Sequence, residues 1–252
     1  KDISQHYKKK IRKKKKKKMN QKQSSLIDFA SGLGVVVTNI GDYQNKESIL
    51  DCRCKNGHKL QGSVDYLLKT GFECLECIAD FQSNITDTTP YFLSLDAATY
   101  TTGMSIFNKE GQLLGHKTFN VDKKKDYFTR LKEIVEEIYS IAVKQNIKCV
   151  ILEDIQYQQN PVLFKKLAML QGVIRYWVIN VLKIELITGM ADEWRSYNHI
   201  YGTKRPVQKL AAIERARKIF KTEIPEDESE SIFLGMYGVS QYYKNKTYKE
   251  EE

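Results

Sequence analysis

Four acidic residues stand where buried carboxylates are costly unless cations or hydrogen bonds neutralise them. Asp96 ends the alternating pattern YFLSLD, and Glu153 ends the nearly all-apolar segment CVILE. Asp227 and Glu230 lie three residues apart at the start of the last predicted helix. Two carboxylates about 5 Å apart repel by roughly 3 kcal/mol at an effective dielectric constant of about 20, so a cluster of four requires cations. We predict that these residues bind two Mg²⁺ ions, with Mn²⁺ as a substitute, for phosphodiester hydrolysis.

Each of these acidic residues also has a structural interpretation. Glu153 could be a surface residue at the end of a strand, and Asp227 could cap the N-terminus of a helix. The segment PEDESE could be a solvated acidic turn. The predicted order of strands favours the metal site, because it can bring all four carboxylates to one place.

A second group of candidate ligands lies in DCRCKNGHKLQGSVDYLLKTGFECLEC. Cys54-x3-His58 and Cys74-x2-Cys77 form two short pairs, and zinc prefers four tetrahedral sulfur and nitrogen ligands supplied in this way. Cys52 competes with Cys54, because residues two apart in an extended segment share a face. The tight turn CKNGH favours Cys54. We predict one structural zinc; unmetallated structural cysteines are the alternative.

The elements that must position the acidic residues follow from the periodicity of residues 91–245. Two strands joined by a turn at Gly103 are followed by a third strand at 112–120, an amphipathic helix from 126 and the strand that ends at Glu153. A long helix, a fifth strand and two further helices complete the segment. The order βββαβαβα, with an extra helix near the end, predicts an α/β domain.

Charge divides the chain unevenly. Residues 1–22 hold 12 Lys or Arg and one Asp, whereas the whole chain has a net charge of +10, so the rest is close to neutral. Such a lysine-rich block is predicted to be disordered and to attract phosphate backbones, unless it lies outside the functional protein. The predicted organisation is a disordered basic tail (1–23), a zinc-binding module (24–80), a linker (81–90), a nuclease domain (91–245) and a tail (246–252).

Hydropathy argues against a membrane partner. The sequence has no apolar run close to the roughly 18 residues that a membrane-spanning helix needs, and no secretory signal pattern. We therefore expect a soluble, cytoplasmic protein.

Residues 91–245 resemble the RuvC family of Holliday-junction resolvases, particularly its phage-type branch. LSLDAATYTTGMSIF is similar to the family's first strand pair, and ILEDIQYQQN to its glutamate strand with an asparagine, Asn160, seven residues on. DESESIFLGMYG is similar to its terminal acidic helix, and EWRSYNHIYGTKRPVQK to the loop and basic helix of the phage branch. The resemblance implies an RNase H-like mixed sheet flanked by helices, a homodimer, and magnesium-dependent symmetric nicking of four-way DNA junctions. It also implies that the protein acts in the cytoplasm of a phage-infected or bacterial host cell.

The sequence departs from that family in three ways. Glu230 stands where the family usually has aspartate, and the extra methylene moves the carboxylate outward. Gln156 stands where the bacterial enzymes carry an aromatic residue that wedges the junction. Either the neighbouring Tyr157 substitutes for it, or the phage-type enzyme accepts other branched substrates. The cysteine-rich segment lies outside the core family domain and resembles small treble-clef-like C-x-x-G-H…C-x-x-C fingers.

Further side chains are candidates for DNA contacts. A local basic group beside the acidic site is expected to bind phosphates. It consists of Lys204, Arg205 and Lys209, with Arg195 and Trp194 upstream. The alternative is a solvated helix face. Gln156 and Tyr157 complete the predicted DNA-binding set.

The long helix after Asn160 is apolar on more than one side, so it needs more than one packing partner. We expect the sheet to cover one side and a second subunit to cover the other; a deeply buried helix in a monomer is the alternative. One stripe consists of Leu163, Leu167, Leu170, Ile174, Trp177 and Val181, and the apolar residues elsewhere on the helix are Phe164, Met169, Val173, Tyr176 and Ile179.

The leading functional hypothesis is an endonuclease that nicks branched DNA. One alternative is a nuclease of the same fold that acts on flaps or RNA–DNA hybrids. Another is a zinc-finger DNA-binding protein whose nuclease site has decayed, which the departure at Glu230 keeps open. An actin-like ATPase is disfavoured because DAATYTTG lacks a glycine-rich phosphate loop, and no small-molecule substrate is indicated.

Overall fold

The computed structural model describes residues 21–156 and 160–250. The chain divides into two compact units, Lys1–Cys77 and Ile78–Glu252. Tyr157 and most of the basic tail predicted at 1–23 lie outside the described residues. No helix among the residues described is long and apolar enough to cross a bilayer.

The smaller unit contains a three-stranded antiparallel sheet in the order β1-β2-β3. Its core includes Leu26, Ala30, Leu50, Leu67 and Phe72. The first helix begins at Gln21, inside the segment predicted as a tail, and its periodicity was too weak to predict. The elements are α1 (Gln21–Gly32), β1 (Val36–Val37), a 3₁₀ turn (Ile40–Asp42), β2 (Ile49–Arg53), β3 (Lys59–Ser63) and α2 (Val64–Lys69).

The next helix, α3 (Leu75–Ser83), extends into the segment predicted as a linker. Its Gln82 side chain donates a hydrogen bond to the carbonyl of Gly111 and accepts one from the backbone N–H of Leu113, at 3.2 and 2.8 Å. Gln82 is buried, so these bonds satisfy an amide that would otherwise be costly. The start of the predicted linker is therefore ordered helix.

The larger unit contains a mixed five-stranded sheet in the order β6-β5-β4-β7-β8. The first three strands in sequence are antiparallel, whereas β4, β7 and β8 are parallel to one another. This confirms the predicted mixed α/β sheet, and the first and fourth strands of the unit, β4 and β7, are neighbours. The strands are β4 (Phe92–Ala97), β5 (Thr101–Phe107), β6 (Leu113–Asn120), β7 (Cys149–Glu153) and β8 (Glu185–Gly189).

Helices cover both faces of this sheet. Leu93 and Leu95 of β4 pack with Ile134 and Ile174 of two helices on one face. On the other face, Ser105 of β5 donates a hydrogen bond to a carbonyl of the last helix. The helices are α4 (Tyr127–Lys144), α5 (Pro161–Tyr176), which continues as a π-helix (Trp177–Leu182), α6 (Ala191–Tyr197), α7 (Arg205–Phe220) and α8 (Glu226–Glu250).

The predicted turn at Gly103 is wrong. The chain turns at 98–100, where the N–H of Ala98 donates to the carbonyl of Thr101, and Gly103 lies inside β5 opposite Asp96. A glycine in a strand signals either a turn or a close approach of another backbone, and here it is the close approach.

Candidate metal centres

Parallel pairing brings two of the predicted acidic residues to one edge of the sheet. Leu95 of β4 lies opposite Leu152 of β7, so the residues that follow, Asp96 and Glu153, stand at the same level. The carboxyl ends of parallel strands form the edge at which α/β folds place their ligands. The strand order therefore gathers these two carboxylates from positions 57 residues apart.

The other two acidic residues arrive on α8, which lies unusually close to the sheet. A Cβ atom on Gly103 would come within 2.0 Å of the backbone oxygen of Asp227. Farther along the helix, a Cβ on Gly235 would come within 2.2 Å of Phe107. Both contacts leave no room for a side chain, so the glycines let α8 bring Asp227 and Glu230 toward Asp96.

The electrostatics show that these carboxylates interact. Burial, followed by the negative charges of Glu153, Glu230 and Asp227, raises the pKa of Asp96 well above its ordinary value, against the opposing effect of Arg205. Burial also raises the pKa of Glu153. Clustered acidic groups held in this way bind a cation favourably, because the cation removes their mutual repulsion.

A cavity of about 290 Å³ lies at this edge of the sheet. Asp96 and Glu153 line it, together with Arg195, Arg205 and Gln156. Oxygen ligands, basic side chains and open space therefore occur together, as a site for a divalent cation and a phosphate group requires.

Two residues of α6 bind the acidic cluster directly. The buried indole N–H of Trp194 donates a hydrogen bond to Oε2 of Glu153 at 3.1 Å. Arg195, whose side chain is only 12% exposed, makes an ion pair with Oε1 of Glu230 at 2.7 Å. Sequence reasoning grouped Trp194 with the phosphate contacts and missed its hydrogen bond to Glu153.

The remaining residues that were predicted to contact DNA differ in their solvent exposure and in their hydrogen-bond and ion-pair partners. Lys204 and Arg205 are exposed at the start of α7, whereas Lys209 is ion-paired with Glu226. Gln156 is exposed and donates a hydrogen bond to Asp192 at 3.3 Å. Their DNA contacts stay predictions, as does that of Tyr157, which lies outside the described residues.

Asn160 has a structural role. Its side-chain oxygen accepts hydrogen bonds from the backbone N–H groups of Val162 and Leu163, at 3.0 and 3.1 Å. It is therefore the N-cap of α5, with Pro161 in the first turn of the helix.

The four predicted zinc ligands lie together in the described part of the chain. Sγ of Cys54 and Sγ of Cys77 are 3.6 Å apart, and Nδ1 of His58 is 3.3 Å from Cys77 Sγ and 3.7 Å from Cys74 Sγ. Zn–S bonds of about 2.3 Å and Zn–N bonds of about 2.0 Å place tetrahedral ligands roughly 3.5 to 3.8 Å apart. The donor set and its spacing fit a zinc ion.

The structure also separates the two competing cysteines. Cys52 is buried in the hydrophobic core of the smaller unit, and burial, with a contribution from Asp51, raises its pKa to about 11. Burial alone would raise the pKa of Cys54, but hydrogen bonds from the backbone N–H groups of Asn56 and His58, and from neighbouring thiols, lower it to about 7. A thiolate is the form that binds metal, so the chemistry favours Cys54.

The two clusters are not equally compact. Among the described residues, the Cys54, His58, Cys74 and Cys77 ligand atoms all lie within 4.8 Å of one another, and the four carboxylates form no such group. The ion pair with Arg195 holds Glu230 in its present position. The acidic residues have the donor type and charge for divalent cations but stand farther apart.

Comparison with known proteins shows similarity in structure alone. No family model matches the sequence, and no curated protein matches it. A structure of Thermus thermophilus RuvC is similar over 62% of this chain and 96% of that chain, with 12% identity and a TM-score of 0.50. The same protein in complex with a Holliday-junction substrate covers 61% and 94% at 9% identity and a TM-score of 0.49. The yeast mitochondrial Holliday-junction resolvase Ydc2 covers 91% and 98% at 13% identity and a TM-score of 0.45.

At these identities the similarity establishes the fold and no more. The mixed sheet with helices on both faces is the RNase H-like fold of RuvC, as the motifs of residues 91–245 predicted.

Proposed function

We propose that this chain is a metal-dependent endonuclease that nicks four-way or other branched DNA junctions by phosphodiester hydrolysis. The observation that carries the proposal is the meeting of Asp96, Glu153, Asp227 and Glu230 around one edge of an RNase H-like sheet. Their order along the chain matches the RuvC-like motifs of the sequence.

The four carboxylates would hold two Mg²⁺ ions, with Mn²⁺ as a substitute. When bound, such ions activate the attacking water and stabilise the negative charge that develops on the phosphate. The protein supplies hard oxygen ligands from two strands and one helix. Burial and, after it, repulsion from the neighbouring carboxylates raise the pKa of Asp96, and cations would relieve the repulsion. Trp194 and Gln171 hold Glu153 through its carboxylate and its backbone carbonyl.

Exposed basic residues would bind the DNA backbone beside the acidic site. Lys204 and Arg205 stand at the start of α7, and Arg205 also lines the cavity that contains Asp96. Phosphate contacts position a duplex without reading its sequence. Selectivity for branched DNA would then come from the geometry of two active sites.

A second copy of the chain would supply the second site. The outer side of α5 and of the π-helix exposes Val162 (62%), Tyr176 (61%) and Ile179 (53%). Large apolar side chains exposed along one helix favour a protein partner over water. A homodimer would cover them and place two sites for symmetric nicking, and the mass in solution tests this.

The smaller unit would bind one structural zinc through Cys54, His58, Cys74 and Cys77. All four coordination positions would be filled by protein, which is the arrangement of structural rather than catalytic zinc sites.

One observation favours a second candidate function, a zinc-containing DNA-binding protein with a decayed nuclease site. Arg195 neutralises Glu230 within the cluster, and Glu230 is the acid that departs from the family pattern. This candidate shares the fold and the basic residues but would bind branched DNA without cutting it.

The test is cleavage of a labelled four-way junction by the full chain with Mg²⁺. Asp96→Asn should lower the cleavage rate by about 1000-fold or more, since metal-assisted stabilisation supplies several kcal/mol. Its affinity for the junction should stay within about twofold, because binding depends on Lys and Arg. The control is Asp122→Asn, an exposed residue before α4.

Three outcomes would contradict the proposal in different ways. Wild-type binding without cleavage would establish the decayed-site candidate. Preferential cutting of RNA–DNA hybrids would point to another nuclease of the same fold. Full activity of Asp96→Asn would remove the assignment of the acidic site.

A further inference from the structure

Adjacent residues of α6 contact two different members of the acidic cluster. The indole N–H of Trp194 donates to Glu153 on β7 at 3.1 Å, and the guanidinium of Arg195 pairs with Glu230 on α8 at 2.7 Å. The same guanidinium lies over the Trp194 ring, 4.5 Å from its centroid. The two side chains therefore support each other as well as the acids.

The short helix that carries them is fastened to α8. The side-chain amide of Asn198 donates to the carbonyl of Trp194 at 2.7 Å and to the carbonyl of Phe233 on α8 at 2.8 Å. At the other end of α6, the carboxylate of Glu193 accepts from the Met190 backbone N–H and from the hydroxyl of Tyr237, also on α8. Trp194 itself is completely buried. This anchoring fixes where the indole N–H can point.

We infer that Trp194 and Arg195 are positioning residues for the metal ligands Glu153 and Glu230. This inference rests on the proposed function, since it assigns a role toward the ions proposed there. An indole N–H can only donate a hydrogen bond, so Trp194 cannot itself bind the cation. It holds Oε2 of Glu153, and Oε1 stays available to bind the metal ion. Outer partners of this kind orient metal-binding carboxylates and commonly change metal affinity by about 10 to 100-fold.

Arg195 explains how the longer side chain of Glu230 is held in place. A planar guanidinium stacked on an aromatic ring has little freedom, so its partner carboxylate is held at a fixed position. Trp194 thus acts on Glu153 directly and on Glu230 through Arg195. A single substitution at Trp194 should disturb both ligands.

The chain offers a matched control, because it has two tryptophans. Trp177 belongs to the π-helix and packs against Tyr139, with ring centroids 4.9 Å apart. Trp194→Phe removes the N–H donor and keeps an aromatic ring, and Trp177→Phe makes the same chemical change elsewhere.

The first measurement is Mn²⁺ binding to the full chain by calorimetry. Trp194→Phe should weaken binding by about tenfold or more, and Trp177→Phe should leave it within about twofold. The second measurement uses Trp177→Phe, in which Trp194 is the one remaining tryptophan. Paramagnetic Mn²⁺ should quench its fluorescence, and adding Glu153→Gln should abolish the quenching.

The outcomes separate this inference from the function on which it rests. Absence of Mn²⁺ binding by the wild-type protein would overturn both. Normal wild-type binding combined with unchanged affinity of Trp194→Phe would overturn only the role of Trp194. If Trp194→Phe does not fold, the quenching experiment decides, and Mn²⁺ binding without a change in Trp194 emission would contradict the inference.

Discussion

The two ligand clusters of this chain are assembled in different ways. The Cys/His cluster draws its four ligands from 24 consecutive residues, and their sulfur and nitrogen atoms already stand at the spacing of a tetrahedral ion. The acidic cluster draws on two strands and a helix spread over residues 96–230, and an arginine neutralises one of its members. A local cluster depends on its own turns, whereas the acidic cluster depends on how an entire helix packs on a sheet.

The sharpest test of this contrast is removal of one zinc ligand. Cys74→Ser should abolish stoichiometric zinc binding, because binding of a structural zinc is itself a large part of the folding free energy of such small units. Elemental analysis of the purified protein and a two-phase thermal melt measure both effects. We expect the smaller unit to lose its cooperative transition while the larger unit keeps its own.

Cys52→Ser is the matched control for that variant. It should retain one zinc per chain and lose about 1 to 3 kcal/mol of stability, because it buries a hydroxyl in an apolar core. Loss of zinc in Cys52→Ser with retention in Cys74→Ser would reverse the assignment.

The acidic cluster should instead be sensitive to the distance between α8 and the sheet. Gly103→Ala places a methyl group 2.0 Å from the Asp227 carbonyl oxygen, so the helix must move. We expect the free energy of unfolding of the larger unit to fall by about 3 kcal/mol, and Mn²⁺ affinity to fall with it. Denaturant unfolding and calorimetry measure the two quantities.

Gly115→Ala serves as the control, since an added Cβ there meets no atom within 4 Å. It should cost less than about 0.5 kcal/mol. Equal effects of the two substitutions would mean that close packing of α8 does not position the acidic residues.

A smaller effect is expected from pH without added divalent cations. Because the folded-state pKa of Asp96 is raised, the folded chain keeps a proton that the unfolded chain has already released. The unfolding free energy should therefore fall as the pH rises from about 3.8, the ordinary pKa, through the raised value.

Asp96→Asn removes this titration, so its stability should exceed that of the wild type at pH 8. Thermal melts across pH measure the difference, and Mg²⁺ should reduce it. Parallel pH profiles for the two proteins would show that the carboxylates do not repel each other.

The smallest effect concerns DNA affinity. Arg205 is exposed, whereas Lys209 is ion-paired with Glu226, so Arg205→Gln should weaken junction binding more than Lys209→Gln. Each lost phosphate contact should reduce the slope of log K against log salt by about 0.9. An unchanged slope for Arg205→Gln would remove it from the interface.

The difference between a local Cys/His cluster and a long-range acidic cluster also explains what could be predicted from the sequence. The Cys/His cluster was identifiable because its ligands come in two short pairs, and the tight turn CKNGH favoured Cys54 over Cys52. The acidic residues required the strand order as well, and the order was predictable because a short buried strand after a helix favours a parallel neighbour.

Long-range contacts account for what could not be predicted. Gly103 was interpreted as a turn residue, because no residue near it in the sequence indicates its close contact with the backbone of Asp227, 124 residues away. The ion pair of Arg195 with Glu230 could not be predicted, because it depends on how α6 meets α8. Both residues act on elements that are distant in the chain.

The packing of α8 has a consequence for finding further chains with this site. Four scattered carboxylates make a weak search pattern, since acidic residues are common at strand ends and helix starts. Two glycines that must lack a side chain make the search pattern more specific. Gly103 lies seven positions after Asp96, and Gly235 lies five positions after Glu230. A search that requires both an acid and its glycine at these two spacings selects for the helix–sheet distance itself. It could therefore retrieve relatives whose overall sequence identity is too low for alignment to detect.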